Sequence, residues 1–173
     1  MTSELHLRPA TTADVSGIKA LVGPLAAAGV LVIKETVAYY EGIQEFVVAE
    51  LVDDDGSTRL VGCGALHVMW QDLAEIRTLA TDPTVRGRGI GGKLVAELLA
   101  RARRLGVERV FCLTFEVTFF RGHGFEVMPN QDQIDPQIFS ELLRSQDEGV
   151  AEYLDLARVK PNTLGNTRMI LTL

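Results

Sequence analysis

The densest chemical signal in the chain is the nine-residue run Val85-Arg86-Gly87-Arg88-Gly89-Ile90-Gly91-Gly92-Lys93, with four glycines and three cations. Glycine lets a backbone come close to a ligand and adopt positive φ. The run lies between an apolar, strand-like stretch and an amphipathic, helix-like one. A helix beginning there presents unpaired N–H groups and the positive end of its dipole. Such a turn suits a pyrophosphate, with Arg86, Arg88 and Lys93 adding charge. A P-loop would need Ser or Thr after its Gly-Lys pair, and here Gly92-Lys93 is followed by Leu94. A dinucleotide fingerprint normally opens a chain's first βαβ unit and is followed by an acidic residue at the end of a second strand. This turn sits mid-chain instead. The alternative is a glycine-rich turn that only closes a tight strand–helix connection.

The elements that must position this turn are readable from periodicity. Residues His6 to Arg8 form a short first strand. Thr11 and Asp14 then have capping-box spacing, and Val15, Ile18, Leu21, Val22 and Leu25 follow at helical spacing up to Gly29. A second helix is expected over Lys34 to Ile43. The runs Glu45 to Leu51 and Thr58 to Trp70, joined by a charged tip carrying Gly56, form a hairpin, and Leu73 to Thr81 is a third strand. Beyond the glycine-rich turn, Leu94, Val95, Leu98, Leu99, Ala102 and Leu105 share one helical face, with Gly106 as the stop signal. Then come a strongly apolar strand Arg109 to Phe115, a helical turn over Val117 to Gly122, a strand from Phe125, a helix over Pro136 to Ser145, and a closing strand Arg168 to Leu173. The order is mixed α and β around one sheet.

The totals set bounds on function. The 173 residues suit one domain, without a repeat or low-complexity linker, and carry a net charge of −6. That balance argues against nucleic acid as a partner, because phosphate backbones need a basic face. The first residues have neither the basic start nor the apolar core of a signal peptide, and no apolar run approaches the ~18 residues of a membrane span. Cys63 and Cys112 both sit in apolar runs, with no metal or disulfide spacing. A soluble, cytoplasmic protein without a metal is expected.

Two spaced motifs bring in a family. Arg86-x-x-Gly89-x-Gly91, preceded by Asp82-Pro83, resembles the acyl-CoA pyrophosphate motif of the GNAT acetyltransferases. Phe119-Phe120-Arg121-Gly122-His123-Gly124-Phe125 is similar to the aromatic-pair and Gly-Phe signature of the same family. The resemblance implies the α+β GNAT (acyl-CoA N-acyltransferase) fold over residues 1–173, a central mixed, mostly antiparallel sheet flanked by helices. It also implies acetyl-CoA as co-substrate. Residues 86–93, namely Arg86, Gly87, Arg88, Gly89, Ile90, Gly91, Gly92 and Lys93, would hold the pyrophosphate. The backbone of Leu79 and Ala80 would hold the pantetheine arm and thioester carbonyl where two strands splay, with Phe119 nearby.

Three further stretches resemble the short, single-domain N-acetylglutamate synthases of actinobacterial type. They are Leu73 to Ala80 with its Glu75-Ile76 pair, Gly29 to Val32 with Lys34, and Val150 to Asn162 with Gly165 to Leu171. The last discriminates best, because Glu-Ile on that strand occurs in other GNAT branches. The implied reaction is acetylation of the α-amine of L-glutamate, with L-glutamine as the alternative acceptor, by direct transfer in a ternary complex. An ammonium must lose a proton before it attacks a thioester, and Glu75 is the implied base, with His67 second. Lys34, Arg77, Lys160 and Arg168 are the candidate grips for the acceptor's carboxylates, and Asn162 a weaker one. No general acid is assigned, since the position near the aromatic pair that is often Tyr in the family is Phe here. Members often pair as homodimers, so a homodimer is one expectation. Two rivals stay open: a GNAT enzyme acting on another amine, including a protein N-terminus, and a non-catalytic acetyl-CoA-binding sensor.

Overall fold

The computed structural model describes residues 3–129, 134–154, 156 and 165–173. Among these, strand β1 (Glu4–Pro9) leads through a 3-10 turn (Thr12–Asp14) into α1 (Val15–Ala27), followed by α2 (Thr36–Glu41). Strands β2 (Phe46–Val52), β3 (Thr58–Trp70) and β4 (Leu73–Thr81) form an antiparallel meander. Next come α3 (Ile90–Arg104), β5 (Arg109–Thr114), α4 (Val117–Gly122) and β6 (Glu126–Val127). The chain closes with α5 (Pro136–Leu142), α6 (Glu148–Tyr153) and β7 (Thr167–Thr172). The strands lie in one sheet in the order β1-β2-β3-β4-β5-β7-β6, where β4–β5 is the parallel pair and the others run antiparallel. This is the mixed, mostly antiparallel α+β sheet expected from the sequence.

The sheet is covered on both faces. Leu94, Val95, Leu98 and Ala102 of α3 are fully buried against Val47, Ala49, Val61 and Ile76, as their 3.6-residue spacing requires. Leu105, expected on this face, is exposed, because the helix has already ended. Val107 N–H bonds to the Ala102 carbonyl and Gly106 N–H to that of Arg103, a Schellman turn with Gly106 at φ +78°. On the opposite face Val15, Ile18 and Val22 of α1 and Tyr39 of α2 pack on Phe46, Val48 and Ala65. A third cluster, Leu73 and Phe111 beneath Leu142, Val150 and Tyr153, seats α5 and α6 on that same face.

Several elements differ from expectation, most by one to three residues at their ends. The second helix begins at Thr36, not Lys34, because Glu35 is extended at its N-cap (φ −66°, ψ 152°). Thr167 joins the closing strand at its start. Helix α6 was not expected at all. It has six residues with a glycine at its second position, too short to show a helical period.

Candidate active site

The sheet opens in its middle. Strands β4 and β5 pair from Leu73 with Arg109 to Ile76 with Cys112, and beyond that point β5 pairs with β7 alone while Arg77 to Thr81 stay with β3. Two things drive the separation. A bulge between Cys63–Ala80 and Ala65–Arg77 gives β4 an extra residue. Thr78 sits there at φ +56°, a genuine outlier for a β-branched residue. It is held by the Cys63 thiol, which donates to the Thr78 carbonyl at 3.6 Å, and by Lys34 Nζ, which donates to its Oγ1 at 3.4 Å. The extra residue also shifts the strand's alternation. Leu79 turns to the α3 face and Ala80 to the α1 face, leaving the backbone of both residues along the opening.

The start of α3 stands at this opening. Gly87 (φ +82°) and the N-cap Gly89 (φ +72°) take conformations that a side chain would resist. Asp82 accepts from Thr84 N–H and fixes the preceding 3-10 turn. The first intrahelical bond into this turn is Lys93 N–H to the Gly89 carbonyl, so the N–H groups of Ile90, Gly91 and Gly92 lie at the exposed, electropositive end of the helix. Arg86, Arg88 and Lys93 are exposed around it, and Arg88 reaches Ser3 Oγ at 3.4 Å. Phe119 is edge-on to Phe120 with centroids 5.1 Å apart and meets His123 in a tilted, edge-type contact at 4.7 Å. Together these two rings close over Gly91 and Gly92, where added Cβ atoms would meet them at 3.4 and 3.0 Å. Every sequence-predicted acetyl-CoA residue thus gathers around the parted strands and the start of α3, and this donor set fits a pyrophosphate followed by an amide-bearing arm.

On the α1 face a cavity of about 590 Å³ opens beside the same stretch of β4. Glu75 and Arg77 line it from β4, His67 from β3, Lys34 from the segment before α2, and Asp147 from the start of α6. Glu75 is 4% exposed, and its Oε2 lies 3.0 Å from an Arg77 guanidinium nitrogen, outside hydrogen-bonding geometry. Burial raises its carboxyl above the usual carboxylate range, more than Arg77 lowers it, and the Asp147 charge pushes in the same direction as burial. Burial also lowers the Lys34 ammonium, assisted by the neighbouring Arg77 charge.

Arg77 is not free. It donates to both Asp147 oxygens, at 2.8 and 3.0 Å, in a fork that its planar guanidinium suits. Burial opposes ionisation of both partners. Even so, Glu75 and Asp147 keep Arg77 raised, and Arg77 keeps Asp147 lowered. Of the predicted acceptor grips, Lys34 and Arg77 meet in the cavity. Arg168 does not line it; its Nη1 lies 3.4 Å from the Glu152 carbonyl. Lys160 and Asn162 lie outside the described residues.

His67 is bound through Nδ1 to Glu45 Oε1 at 2.6 Å, with Nε2 3.7 Å from Asp147. Tyr153 is buried edge-on to Phe111 with centroids 5.3 Å apart, within the third core cluster. Both cysteines are buried, and burial pushes the Cys63 thiol up to about 12 and Cys112 higher still, which leaves neither as a thiolate nucleophile.

Sequence reasoning missed Asp147, Glu45 and Asn166, all of which line the cavity. Asn166 Oδ1 is buried without a hydrogen-bond partner. For Asp147 a local signal existed: an acidic N-cap accepting from Val150 N–H, three residues on. Nothing local marks Glu45, whose partner is 22 residues away.

Residues 31–125 match the model of the acetyltransferase (GNAT) family. An amino-acid acetyltransferase of Mycobacterium tuberculosis is 52% identical over 96% of this chain and 94% of its own length. One from Aeromonas salmonicida is 34% identical over 72% of this chain, but only 28% of that longer protein is covered. The solved structure of Rv2747 from Mycobacterium tuberculosis, which holds CoA, superposes with a TM-score of 0.89 at 51% identity, covering 97% of this chain and 99% of that one. N-acetylglutamate synthase from Neisseria gonorrhoeae shares the fold, with a TM-score of 0.75 at 24% identity over 100% of this chain and 36% of that one. The parted strands, the glycine turn at the start of α3 and these matches agree, and the chain belongs to the GNAT family of acetyltransferases.

Proposed function

We propose that the protein moves the acetyl group of acetyl-CoA to the α-amine of L-glutamate, giving N-acetylglutamate, by direct transfer in a ternary complex. The observation that carries the reading is Glu75. It is a buried carboxylate lining an open-mouthed cavity, on the strand whose next residues border the opening, with Lys34 and Arg77 in the same cavity. The name of the Mycobacterium tuberculosis relative, which matches nearly end to end, supports an amino acid as acceptor.

In this reading the acceptor ammonium gives a proton to the Glu75 carboxylate. Its upward shift brings that base closer to the operating pH, where general-base catalysis is most effective. The freed amine attacks the thioester carbonyl, a C–N bond forms, and the C–S bond breaks as the thiolate leaves. Backbone N–H groups near Leu79 and Ala80 face the developing oxyanion. Lys34 holds the α-carboxylate. Cytoplasmic location and pairing as a homodimer belong to the same reading and rest on the family likeness.

One observation favours L-glutamine as a second acceptor. Arg77 is already forked onto Asp147, so Lys34 is the lining cation left without a carboxylate partner among the described residues. A second acceptor carboxylate would have to displace Asp147 from a buried pair, at a cost of several kcal/mol. The test is mass-spectrometric identification of the product from equimolar glutamate and glutamine. Acetylation of glutamate supports the main reading, exclusive acetylation of glutamine supports the second, and unchanged amino acids contradict both.

A further inference from the structure

Helix α6 sits on the proposed base through a glycine. An added Cβ at Gly149 would lie 2.0 Å from Glu75 Oε2 and 2.8 Å from its Cδ. The preceding residue pair locks this approach from the other side. Asp147 caps α6 by accepting from Val150 N–H at 3.2 Å, and the same carboxylate holds Arg77 of β4 in its two-bond fork. One short helix is thereby fastened to the strand that carries Glu75 and Arg77, with no side chain between its backbone and the Glu75 carboxylate.

We propose that Asp147 and Gly149 are positioning residues of the acceptor site. Asp147 fixes Arg77 and the start of α6, and Gly149 leaves the space that the Glu75 carboxylate occupies in the cavity. The proposal rests on Glu75 being the base.

The glycine is otherwise hard to account for. Gly149 is part of α6 and does not need positive φ, so alanine would favour the helix. The atoms in the way, the Glu75 carboxylate and Asp147 Oδ1 at 3.0 Å, are the tips of flexible side chains, not backbone, so the fold tolerates Gly149→Ala by displacing the Glu75 carboxylate, with Asp147 giving slightly. Misplacing a reacting group by about 1 Å costs on the order of 100-fold in rate.

Asp147 also acts through charge. The titratable and charged groups that share the cavity with Glu75 are Arg77 on its own strand, His67 on β3, Lys34 before α2, Glu45 before β2, and Asp147, Glu148 and Glu152 at α6; the charges that act on Glu75 are Arg77, Asp147, Lys34 and His67. Beside burial, the largest cause, Asp147 is the anion that raises the Glu75 carboxyl, and it also engages the guanidinium that lowers it. Without that charge, the acid limb of activity moves to lower pH.

The experiment compares Gly149→Ala, Asp147→Asn and Glu75→Gln with the wild type by thiol release from acetyl-CoA, CoA binding and thermal unfolding. Gly149→Ala is expected to unfold no lower than wild type and to bind CoA normally, with kcat lower on the order of 100-fold. Asp147→Asn is expected to shift the acid limb of kcat/KM downward, a change that mere loosening of the helix does not produce. Gly149→Ala at the wild-type rate, or Asp147→Asn with an unmoved limb, overturns the proposal provided Glu75→Gln is inactive. Glu75→Gln turning over at the wild-type rate overturns instead the base reading on which it rests.

Discussion

His67 and Glu75 face each other directly across β3 and β4, in register, on the face of the sheet that lines the cavity of about 590 Å³. Directly opposed side chains have Cβ atoms about 5 Å apart. The two differ in setting: His67 is tied to Glu45 at the half-exposed mouth, and Glu75 is buried deeper with a carboxyl raised by desolvation.

The raised Glu75 carboxyl has two consequences of defined sign. The base must be ionised to work, so kcat/KM falls on the acid side along a limb lying above the ~4.3 of an ordinary glutamate. The folded state also binds this proton more tightly than the unfolded chain does. Its contribution to stability is therefore full below the unfolded value and is lost as pH rises through the folded one. Unfolding midpoints measured across pH should show Glu75→Gln gaining on the wild type as pH rises. A constant difference would contradict the shift.

Lys34→Met should raise the KM for the acceptor by about tenfold or more, with little change in the KM for acetyl-CoA. It removes the cavity's unforked cation and leaves the α3 turn untouched. Because burial lowers the Lys34 ammonium, acceptor binding should weaken on the alkaline side below the ~10.4 of a free lysine. Steady-state kinetics with each substrate varied in turn would check both points.

Gly89→Ala should act on the other substrate. At φ +72° a Cβ costs roughly 1–2 kcal/mol, and relaxing that strain turns the N–H groups of Ile90 to Gly92 away from a bound pyrophosphate. CoA affinity, read by calorimetry, should fall about tenfold while the KM for the acceptor holds.

Far from the site, Arg8 forks between Asp14 at 2.8 and 2.9 Å and Glu50 at 3.0 and 3.2 Å, pinning the entry to α1 onto β1 and β2. The Arg8 guanidinium holds the Asp14 carboxyl down at about 2. That stabilisation is present above the unfolded carboxylate value and is lost as pH falls through about 2. Asp14→Asn should cost about 1 kcal/mol at neutral pH, a drop of roughly 2–4 °C in Tm. The gap between variant and wild type should close in strong acid.

The acetyl-CoA side was legible in the sequence because its signals are local. The glycines of the turn, the period of α3 and the Phe119–Phe125 signature all lie within runs of a few residues. On the acceptor side, Glu75, Arg77, Lys34 and His67, which the sequence singled out, line one cavity. Asp147 escaped because it works across 70 residues, onto Arg77, from a helix too short to show a period. The bulge at Thr78 escaped for a related reason, since no glycine marks its positive φ. Arg168 stands at the edge of the cavity, where the β5–β7 register sets it opposite Leu113 and its guanidinium lies near the Glu152 carbonyl, both of these residues lining the cavity.

The measurement that bears most directly on the whole account is thiol release from acetyl-CoA by the purified wild-type protein against a panel of free amino acids. The account predicts saturable release with glutamate, well above the rate with water alone, and its loss in Glu75→Gln with CoA binding intact. No release with any amino acid, from protein that binds CoA normally, would contradict it.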